Sequence, residues 1–184
     1  MPNLESFYEI ELKALLTEQK YNELSELLLK DYFKINDDVI HSTRYRPGDI
    51  TLRFSNKIFE LVQKSGDPTN IIRKETKLSF ENKEDFDKMK NIFDDLKIQG
   101  DQTSIIHKQE FQIQLEDYNY IICLQDTKDF AKILKVEYLS EDENYIFHER
   151  NIRTVFKRLN VDPIDPKEFN DKITRYIMAN KKLL

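Results

Sequence analysis

The sequence has few cysteines, glycines and prolines, and it lacks any long apolar run. The single cysteine, Cys123, excludes an internal disulfide and any zinc site built from several cysteines. Three glycines and five prolines in 184 residues argue against long flexible linkers. No stretch approaches the roughly 18 apolar residues that a membrane-spanning helix needs, and residues 1–11 contain no apolar run of the kind found in signal peptides. We therefore expect a cytoplasmic protein that does not contact a membrane.

Composition and charge favour one folded domain whose surface does not attract nucleic acid. The chain carries 34 acidic and 29 basic residues, a formal net charge of -5, so its overall field does not draw in polyanions. Any phosphate site must come from a local concentration of lysine and arginine. Twelve phenylalanines and nine tyrosines argue against disorder, and the length suits a single domain.

Four segments have the apolar spacing of amphipathic helices. Their predicted starts are Thr17, Asn82 (with a stop at Gly100), a position near Ser140, and Asp165 followed by Pro166. In each segment, apolar residues recur at intervals of three and four, which predicts one buried face. On the third helix, the residues expected to face inward are Tyr145, Ile152, Val155, Phe156 and Leu159.

Seven segments alternate between polar and apolar residues, as half-buried strands do. The clearest is 108–116, in which the even positions are polar and the odd positions from Phe111 to Leu115 are apolar. The others are 8–13, 50–57, 59–64, 71–80, 120–126 and 133–139. This pattern predicts seven or eight strands, many of them antiparallel, with one face on a core and the other on water or a polar cavity.

The polar faces of these predicted strands are rich in long charged side chains of both signs. They are Glu9, Glu11, Lys13, Arg53, Arg73, Glu75, Lys77, Lys108, Glu110, Asp126 and Glu137. An open sheet would turn such a face to solvent, whereas a closed barrel would turn it into a lumen. The alternation alone leaves both arrangements open. A lumen of this composition would suit a polyanion bound together with a metal ion.

The first strand carries the pattern E-x-E-x-K, formed by Glu9, Glu11 and Lys13. On a strand, alternate side chains point the same way and lie about 7 Å apart. Two carboxylates so placed can share in binding Mg²⁺ or Mn²⁺, which prefer oxygen ligands. The lysine suits a phosphate oxygen. An ordinary exposed strand face is the alternative interpretation.

In the order of its motifs the chain resembles the CYTH family, the triphosphate tunnel metalloenzymes. The matching features in sequence order are E-x-E-x-K, a helix, Leu52-Arg53, Lys64-Ser65-Gly66, Arg73-Lys74-Glu75, a second helix, and strands near Lys108, Asp126 and Glu137. The resemblance covers about residues 7–139. A helical extension over about 140–184 is similar in layout to that of cyclase-type members, so the resemblance implies a single domain over residues 1–184.

The resemblance implies an α+β fold in which eight antiparallel strands close into a tunnel with helices packed outside. It implies that Lys13, Arg53, Lys64, Arg73 and Lys108 bind phosphate, and that Lys13 and Glu11 act in catalysis. The implied ligands of Mg²⁺ or Mn²⁺ are Glu9, Glu11, Glu75, Asp126 and Glu137.

The implied function is metal-dependent hydrolysis of a triphosphate-bearing small molecule, which is a nucleoside, thiamine or inorganic triphosphate. A class IV adenylyl cyclase, which makes cyclic AMP and pyrophosphate from ATP, is one alternative. A degenerate tunnel that binds a nucleotide or polyphosphate without turnover is another. The expected partner is the small molecule and not nucleic acid, and a homodimer is left open.

The sequence departs from the family pattern at several positions. Ser55 stands where the family has a second arginine, Glu110 where its K-x-R strand has arginine, and Lys135 where the closing E-x-E has its first acid. The family's glycine-leucine-glycine turn is replaced by residues 127–129. Four nearby cations are candidate substitutes: Arg44, Arg46, Lys57 and Lys77.

The remaining polar and sulfur-containing candidates are assigned structural roles. His41, His107 and His148 are scattered along the sequence, and we expect structural or surface positions for all three. Cys123 lies in an apolar run and is expected to be a small buried side chain.

Overall fold

The computed structural model describes residues 3–45, 49–98 and 100–180, which form eight strands and four helices. The strands are β1 (Asn3–Leu16), β2 (Phe33–Tyr45), β3 (Ile50–Phe54), β4 (Phe59–Ser65), β5 (Ile72–Ser79), β6 (Gly100–Leu115), β7 (Tyr118–Thr127) and β8 (Ala131–Ser140). The helices are α1 (Glu18–Asp31), α2 (Lys83–Asp95), α3 (Ile146–Arg158) and α4 (Pro166–Asn180).

The eight strands close into one antiparallel barrel. Around the barrel the order is β1-β5-β4-β3-β2-β6-β7-β8, and β8 pairs again with β1. Closure depends on the length of β1, which pairs with β5 through residues 3–10 and with β8 through residues 8–16. The predicted eight-stranded tunnel with helices outside is therefore confirmed.

The main hydrophobic core lies outside the barrel wall, between the strands and helices α1 and α3. Ile10 and Leu12 of β1 pack there with Leu24 and Leu28 of α1 and with Phe156 of α3. Because successive side chains of a strand point to opposite faces, the charged residues that alternate with Ile10 and Leu12 point into the barrel. The lumen is therefore the polar face that the sequence pattern predicted, and the exposed-face alternative is excluded.

A second, smaller core lies under α2. Tyr45 and Leu52 of the barrel pack there against Phe86 and Phe93 of the helix. The Asn82 side chain caps α2 by accepting a hydrogen bond from Asp85 N, as predicted.

The predicted stop of this helix at Gly100 is wrong. The helix ends at Asp95, and the chain turns at Lys97, which has a left-handed φ of 56°. Gly100 instead begins β6, where a Cβ atom would lie 2.8 Å from the Thr43 side chain. A side chain at this position would therefore clash with β2.

Strand β2 was not predicted from the sequence. Its register against β6 shifts between Lys34 and Asn36, and such a bulge breaks the alternation that identifies a strand. The third helix also differs from the prediction. It begins at Ile146 rather than near Ser140, and Tyr145 at its cap position is 36% exposed and does not face inward.

The start of α4 matches its predicted capping signals. Asp165 Oδ1 accepts hydrogen bonds from the backbone nitrogens of Lys167 and Glu168, and Pro166 is the first helical residue. Within the described ranges, no helix combines the length and the apolar character that crossing a membrane requires. The cytoplasmic location and the homodimer stay predictions.

Candidate functional site

Three buried carboxylates meet inside the barrel. Glu9 and Glu11 come from β1 and Glu137 comes from β8, where it lies directly opposite Glu11. One oxygen from each lies within 4.8 Å of the others. Glu11 Oε2 is buried and accepts no hydrogen bond from the part of the chain that the structure describes. Carboxylate oxygens are the ligands that Mg²⁺ and Mn²⁺ prefer, so the donor chemistry of this acid cluster fits one divalent ion.

Three lysines contact the acid cluster, so its negative charge is already balanced. Lys135 Nζ lies 3.1 Å from Glu9 Oε1 and 3.5 Å from Glu11 Oε2, and it contacts Glu137 directly. Lys64 pairs with Glu9, and its Nζ lies 3.8 Å from Glu11 Oε2. Lys13 pairs with Glu11 along the same strand. Three ammonium groups therefore face three carboxylates.

Burial and mutual attraction shift the pKa values of these groups. Burial, together with the Glu9 carboxylate, raises the pKa of Glu137 to about 6, although Lys135 acts in the opposite direction. For Glu9, the attraction of Lys64 and Lys135 outweighs burial and holds the pKa well below its ordinary value. Burial alone would lower the pKa of Lys135, but Glu137, Glu9 and Glu11 hold it well above its ordinary value. Lys135 therefore remains an ammonium ion at neutral pH.

A cavity of about 240 Å³ adjoins the acid cluster at one end of the barrel. Five cationic side chains line it: Lys13, Arg44, Arg53, Lys64 and Arg73. Glu11 also lines the cavity and so connects it to the acid cluster. Four of the five predicted phosphate ligands thus lie together on one cavity, and Arg44 joins them as a substitute cation.

Helix α4 covers the outer end of the cavity. Phe169, Asn170 and Ile173 contribute to its lining, and Lys13 Nζ lies 5.2 Å from the centroid of the Phe169 ring. The segment before the helix is tied to β1, because Ile164 N donates a 2.8 Å hydrogen bond to Lys13 O. The C-terminal helix therefore packs on its own tunnel.

Each cavity arginine has an acidic partner inside the barrel. Arg53 Nε lies 2.8 Å from Glu60 Oε1. Asp49 pairs with both Arg44 and Arg73, whose attraction outweighs burial and lowers the pKa of its carboxyl group. A phosphate group entering the cavity must therefore compete with Asp49 and Glu60.

Asp49 and Glu60 were not predicted as site residues. Glu60 and Lys64 are four positions apart on β4, so their side chains point to the same face of the strand. The predicted lumen position of Lys64 therefore also indicates one for Glu60. Asp49 precedes β3, in a segment without a periodic pattern.

Two further predicted site residues face the lumen but lie outside the acid cluster or the cavity lining. Lys108 pairs with Glu110 on its own strand, and Asn36 Nδ2 donates a 2.9 Å hydrogen bond to the same carboxylate. Glu75 is 6% exposed, and its carboxylate lies 3.4 Å from Lys64 Nζ. Glu75 therefore holds Lys64 in place and does not extend the acid cluster.

The placement of Asp126 among the tunnel carboxylates is wrong. Its carboxylate pairs with Lys132, at 2.6 Å, and Lys132 lies over the ring of Tyr21 on α1 and near Glu18. These contacts put Asp126 on the outer face of β7. The lumen side of this strand carries Cys123, which lies opposite Lys135 and Glu110 in the register.

Two of the other substitute cations, Lys57 and Lys77, lie away from the cavity. Lys57 is exposed and its Nζ donates a 2.6 Å hydrogen bond to Asp37 O. Lys77 pairs with Glu5 at 3.1 Å. Arg46 lies outside the described residues.

The cysteine and the histidines have the predicted kinds of position. Cys123 is fully buried, and burial raises the pKa of its thiol to about 12. His148 is buried, and Tyr138 stacks on it with ring centroids 3.7 Å apart. His41 stacks on Phe54, and His107 Nε2 lies 2.8 Å from Asp37 Oδ1.

Comparison with known proteins finds the same fold in solved structures. No protein-family model matches the sequence, and no curated protein matches it either. A conserved hypothetical protein from Pyrococcus furiosus superposes with a TM-score of 0.66 and 18% identity over 84% of this chain and 91% of its own. A candidate adenylate cyclase from Bacillus halodurans gives a TM-score of 0.55 and 14% identity over 86% and 93% of the two chains.

For a third similar structure, an enzymatic activity is known. It is a candidate adenylyl cyclase from Hippeastrum with a dominant triphosphatase activity, and it gives a TM-score of 0.58 and 11% identity over 86% of this chain and 90% of its own. The chain has a CYTH-like fold. At 11 to 18% identity the likeness establishes the fold and not the activity. Within this CYTH-like barrel, Ser55 hydrogen-bonds to Asp38, and Lys135 stands among the acids.

Proposed function

We propose that this protein is a metal-dependent hydrolase of a triphosphate-bearing anion. The supporting observation is a cavity lined by five cations that directly adjoins three converging carboxylates. In phosphoryl transfer the protein contributes mainly position and charge, and this arrangement provides both. The triphosphatase activity of the structural neighbour from Hippeastrum agrees with this choice.

The side chains divide the work between the phosphate chain and the metal. Glu9, Glu11 and Glu137 would hold one Mg²⁺ or Mn²⁺ ion. When bound, the ion supplies Lewis-acid polarisation of a phosphoryl oxygen and neutralises charge. Lys13 and Lys64 border both the acid cluster and the cavity, so they can orient the phosphoryl group next to the carboxylates.

The cavity arginines and α4 bind and enclose the remainder of the phosphate chain. Arg44 and Arg73 line the cavity and contact different oxygens of Asp49, and a guanidinium group can bind two phosphate oxygens at once. Phe169 and Ile173 add apolar surface to the lining, so they reduce the contact of bound phosphate with bulk water. By holding the rest of the phosphate chain, these side chains would fix the position of the terminal phosphorus for attack.

Cavity size favours a compact substrate within this class. The volume of about 240 Å³ is below the roughly 300–1,000 Å³ typical of pockets for drug-sized ligands. With α4 in place, an inorganic triphosphate is the best match. A nucleotide would have to extend beyond this cavity. The cyclase alternative therefore needs more space than this cavity provides, although the neighbours from Bacillus halodurans and Hippeastrum are candidate adenylate cyclases.

The test is a product assay on the full chain. Protein is incubated with tripolyphosphate, thiamine triphosphate or ATP, each with Mg²⁺ or Mn²⁺, and the products are separated by chromatography. We expect metal-dependent release of phosphate, greatest with tripolyphosphate, which falls at least about 100-fold in Glu11→Gln.

Other products would redirect the assignment. Cyclic AMP with pyrophosphate would identify a cyclase and overturn the hydrolase. A rise in melting temperature with one triphosphate but no product would identify a binding protein. If no product forms and no triphosphate raises the melting temperature, the proposed triphosphate site is overturned.

A further inference from the structure

Lys135 lies at the point where the three carboxylates of the acid cluster converge. Its Nζ is 3.1 Å from Glu9 and 3.5 Å from Glu11, and it contacts Glu137. The residue is 8% exposed, so solvent does not screen these contacts strongly. The same three carboxylates are the ones whose oxygens lie close enough together to hold a metal ion. The ammonium group therefore takes the place at which a divalent cation would be bound.

We propose that Lys135 is a built-in cation that competes with a divalent ion for the acid cluster. This inference rests on the proposed function only in assigning Glu9, Glu11 and Glu137 to the metal. Lys64 also contacts the buried carboxylate of Glu75, so four carboxylates face the ammonium groups of Lys13, Lys64 and Lys135, and their net charge is -1. Adding a divalent ion while Lys135 stays in place would leave an uncompensated positive charge in a buried site, which is costly where the dielectric constant is low.

The competition can be relieved because lysine is a flexible cation. Its ammonium group is carried on a four-carbon stem that can turn away, and Glu11 Oε2 already lacks a hydrogen-bond donor among the described residues. The free energy of metal binding is then reduced by the cost of displacing Lys135 from Glu9 and Glu137. The protein should consequently bind divalent ions weakly until that lysine is moved or removed.

The test measures Mn²⁺ binding to the full chain with no triphosphate present. Free Mn²⁺ is followed by electron paramagnetic resonance for the wild type, for Lys135→Met and for the control Lys77→Met. The control removes the same charge from a lysine that pairs with Glu5 and not with the acid cluster. We expect Lys135→Met to bind Mn²⁺ at least about tenfold more tightly than the wild type, or about 1.4 kcal/mol. Lys77→Met should resemble the wild type.

Two further variants locate the ion and guard against misfolding. Adding Glu137→Gln to Lys135→Met should abolish the gain, which would place the ion at the acid cluster. If Lys135→Met does not fold, Lys135→Gln keeps a polar side chain and makes the same prediction. Circular dichroism establishes which variants are folded, and Mn²⁺ should raise the melting temperature of Lys135→Met more than that of the wild type.

The proposal is overturned if folded Lys135→Met and Lys135→Gln bind Mn²⁺ no more tightly than the wild type. It is also overturned if Lys77→Met shows the same gain, since the effect would then be one of net charge. Because no triphosphate is present, these results are independent of hydrolysis. A protein without hydrolase activity could still show the competition, and an active hydrolase could lack it.

Discussion

Arg53 and Glu60 lie opposite each other on β3 and β4, with Arg53 Nε 2.8 Å from Glu60 Oε1. Arg53, which the sequence analysis predicts to bind phosphate, is thus paired with an acid within the barrel. The same holds for Arg73, which Asp49 contacts. An anion that binds these arginines must replace Glu60 or Asp49 as their partner. Its affinity therefore depends on the acids as much as on the cations.

Glu60→Gln should strengthen anion binding. Glutamine has nearly the same shape as glutamate, but it does not neutralise the guanidinium group of Arg53. We expect tripolyphosphate to bind about threefold to tenfold more tightly, or roughly 0.7–1.4 kcal/mol, by calorimetry without metal at fixed ionic strength. Glu5→Gln, which makes the same charge change at a half-exposed residue paired with Lys77, is the control. Equal affinities for wild type and Glu60→Gln would mean that Arg53 does not contact the anion.

Asp126 and Glu137 should respond differently to loss of charge. Asp126 pairs with Lys132 on the outer face of the barrel, so Asp126→Asn should leave the Mg²⁺ requirement of phosphate release unchanged. Glu137→Gln removes one carboxylate of the acid cluster and should raise the half-maximal Mg²⁺ concentration at least about tenfold, because ligand charge sets affinity for hard cations. A larger effect in Asp126→Asn than in Glu137→Gln would contradict the site.

Stability should fall as His148 becomes protonated in the unfolded chain. Burial lowers the pKa of His148, so the unfolded state binds a proton near the ordinary value of about 6.5 while the folded state remains neutral. The free energy of unfolding should therefore decrease as pH falls from about 7.5 through 6.5 towards the lower folded pKa. His148→Gln should reduce that decrease, as measured by urea unfolding across this range. His107→Gln is the matched control, and an equal reduction in it would argue against His148 as the cause.

Phe169→Ala should loosen α4 without unfolding the barrel. The ring is 7% exposed and packs over the Lys13 ammonium group, and truncation of a buried phenylalanine costs about 3–5 kcal/mol where the site cannot collapse. Hydrogen exchange should become faster in α4 and remain slow in β1 and β8. Met178→Ala, on the same helix at 65% exposure, should leave exchange unchanged. Faster exchange throughout the barrel would mean that α4 is part of the cooperative core.

The lumen-facing residues of β1 could be predicted because its sequence alternates cleanly. Ile10 and Leu12 indicate the core face, which leaves Glu9, Glu11 and Lys13 to the lumen. The segment 120–126, which predicts β7, alternates less cleanly, because residues 121–124 are apolar at every position. A run of this kind does not show which residues face inward, and for this reason Asp126 was placed on the wrong side while Cys123 was not recognised as a lumen residue.

Pairing inside the lumen could not be predicted from any single strand. The contact between Lys135 and Glu9 joins residues 126 positions apart in the sequence, and it depends on the register between β1 and β8. Register is set by the closed barrel as a whole. The resemblance to the CYTH family implied that acids and cations would share a lumen, but the choice of partner for each one required the three-dimensional structure.

The pairing of β1 with β8 has a consequence for the time course of folding. Residues 8–16 find their partners at residues 132–140, so the first strand cannot complete its pairing until about 130 further residues are available. Contacts this distant in sequence slow folding because the loop entropy is lost before they form. During synthesis, β1 would therefore remain half-paired until β8 has left the ribosome, and it would be open to wrong strand partners throughout that interval.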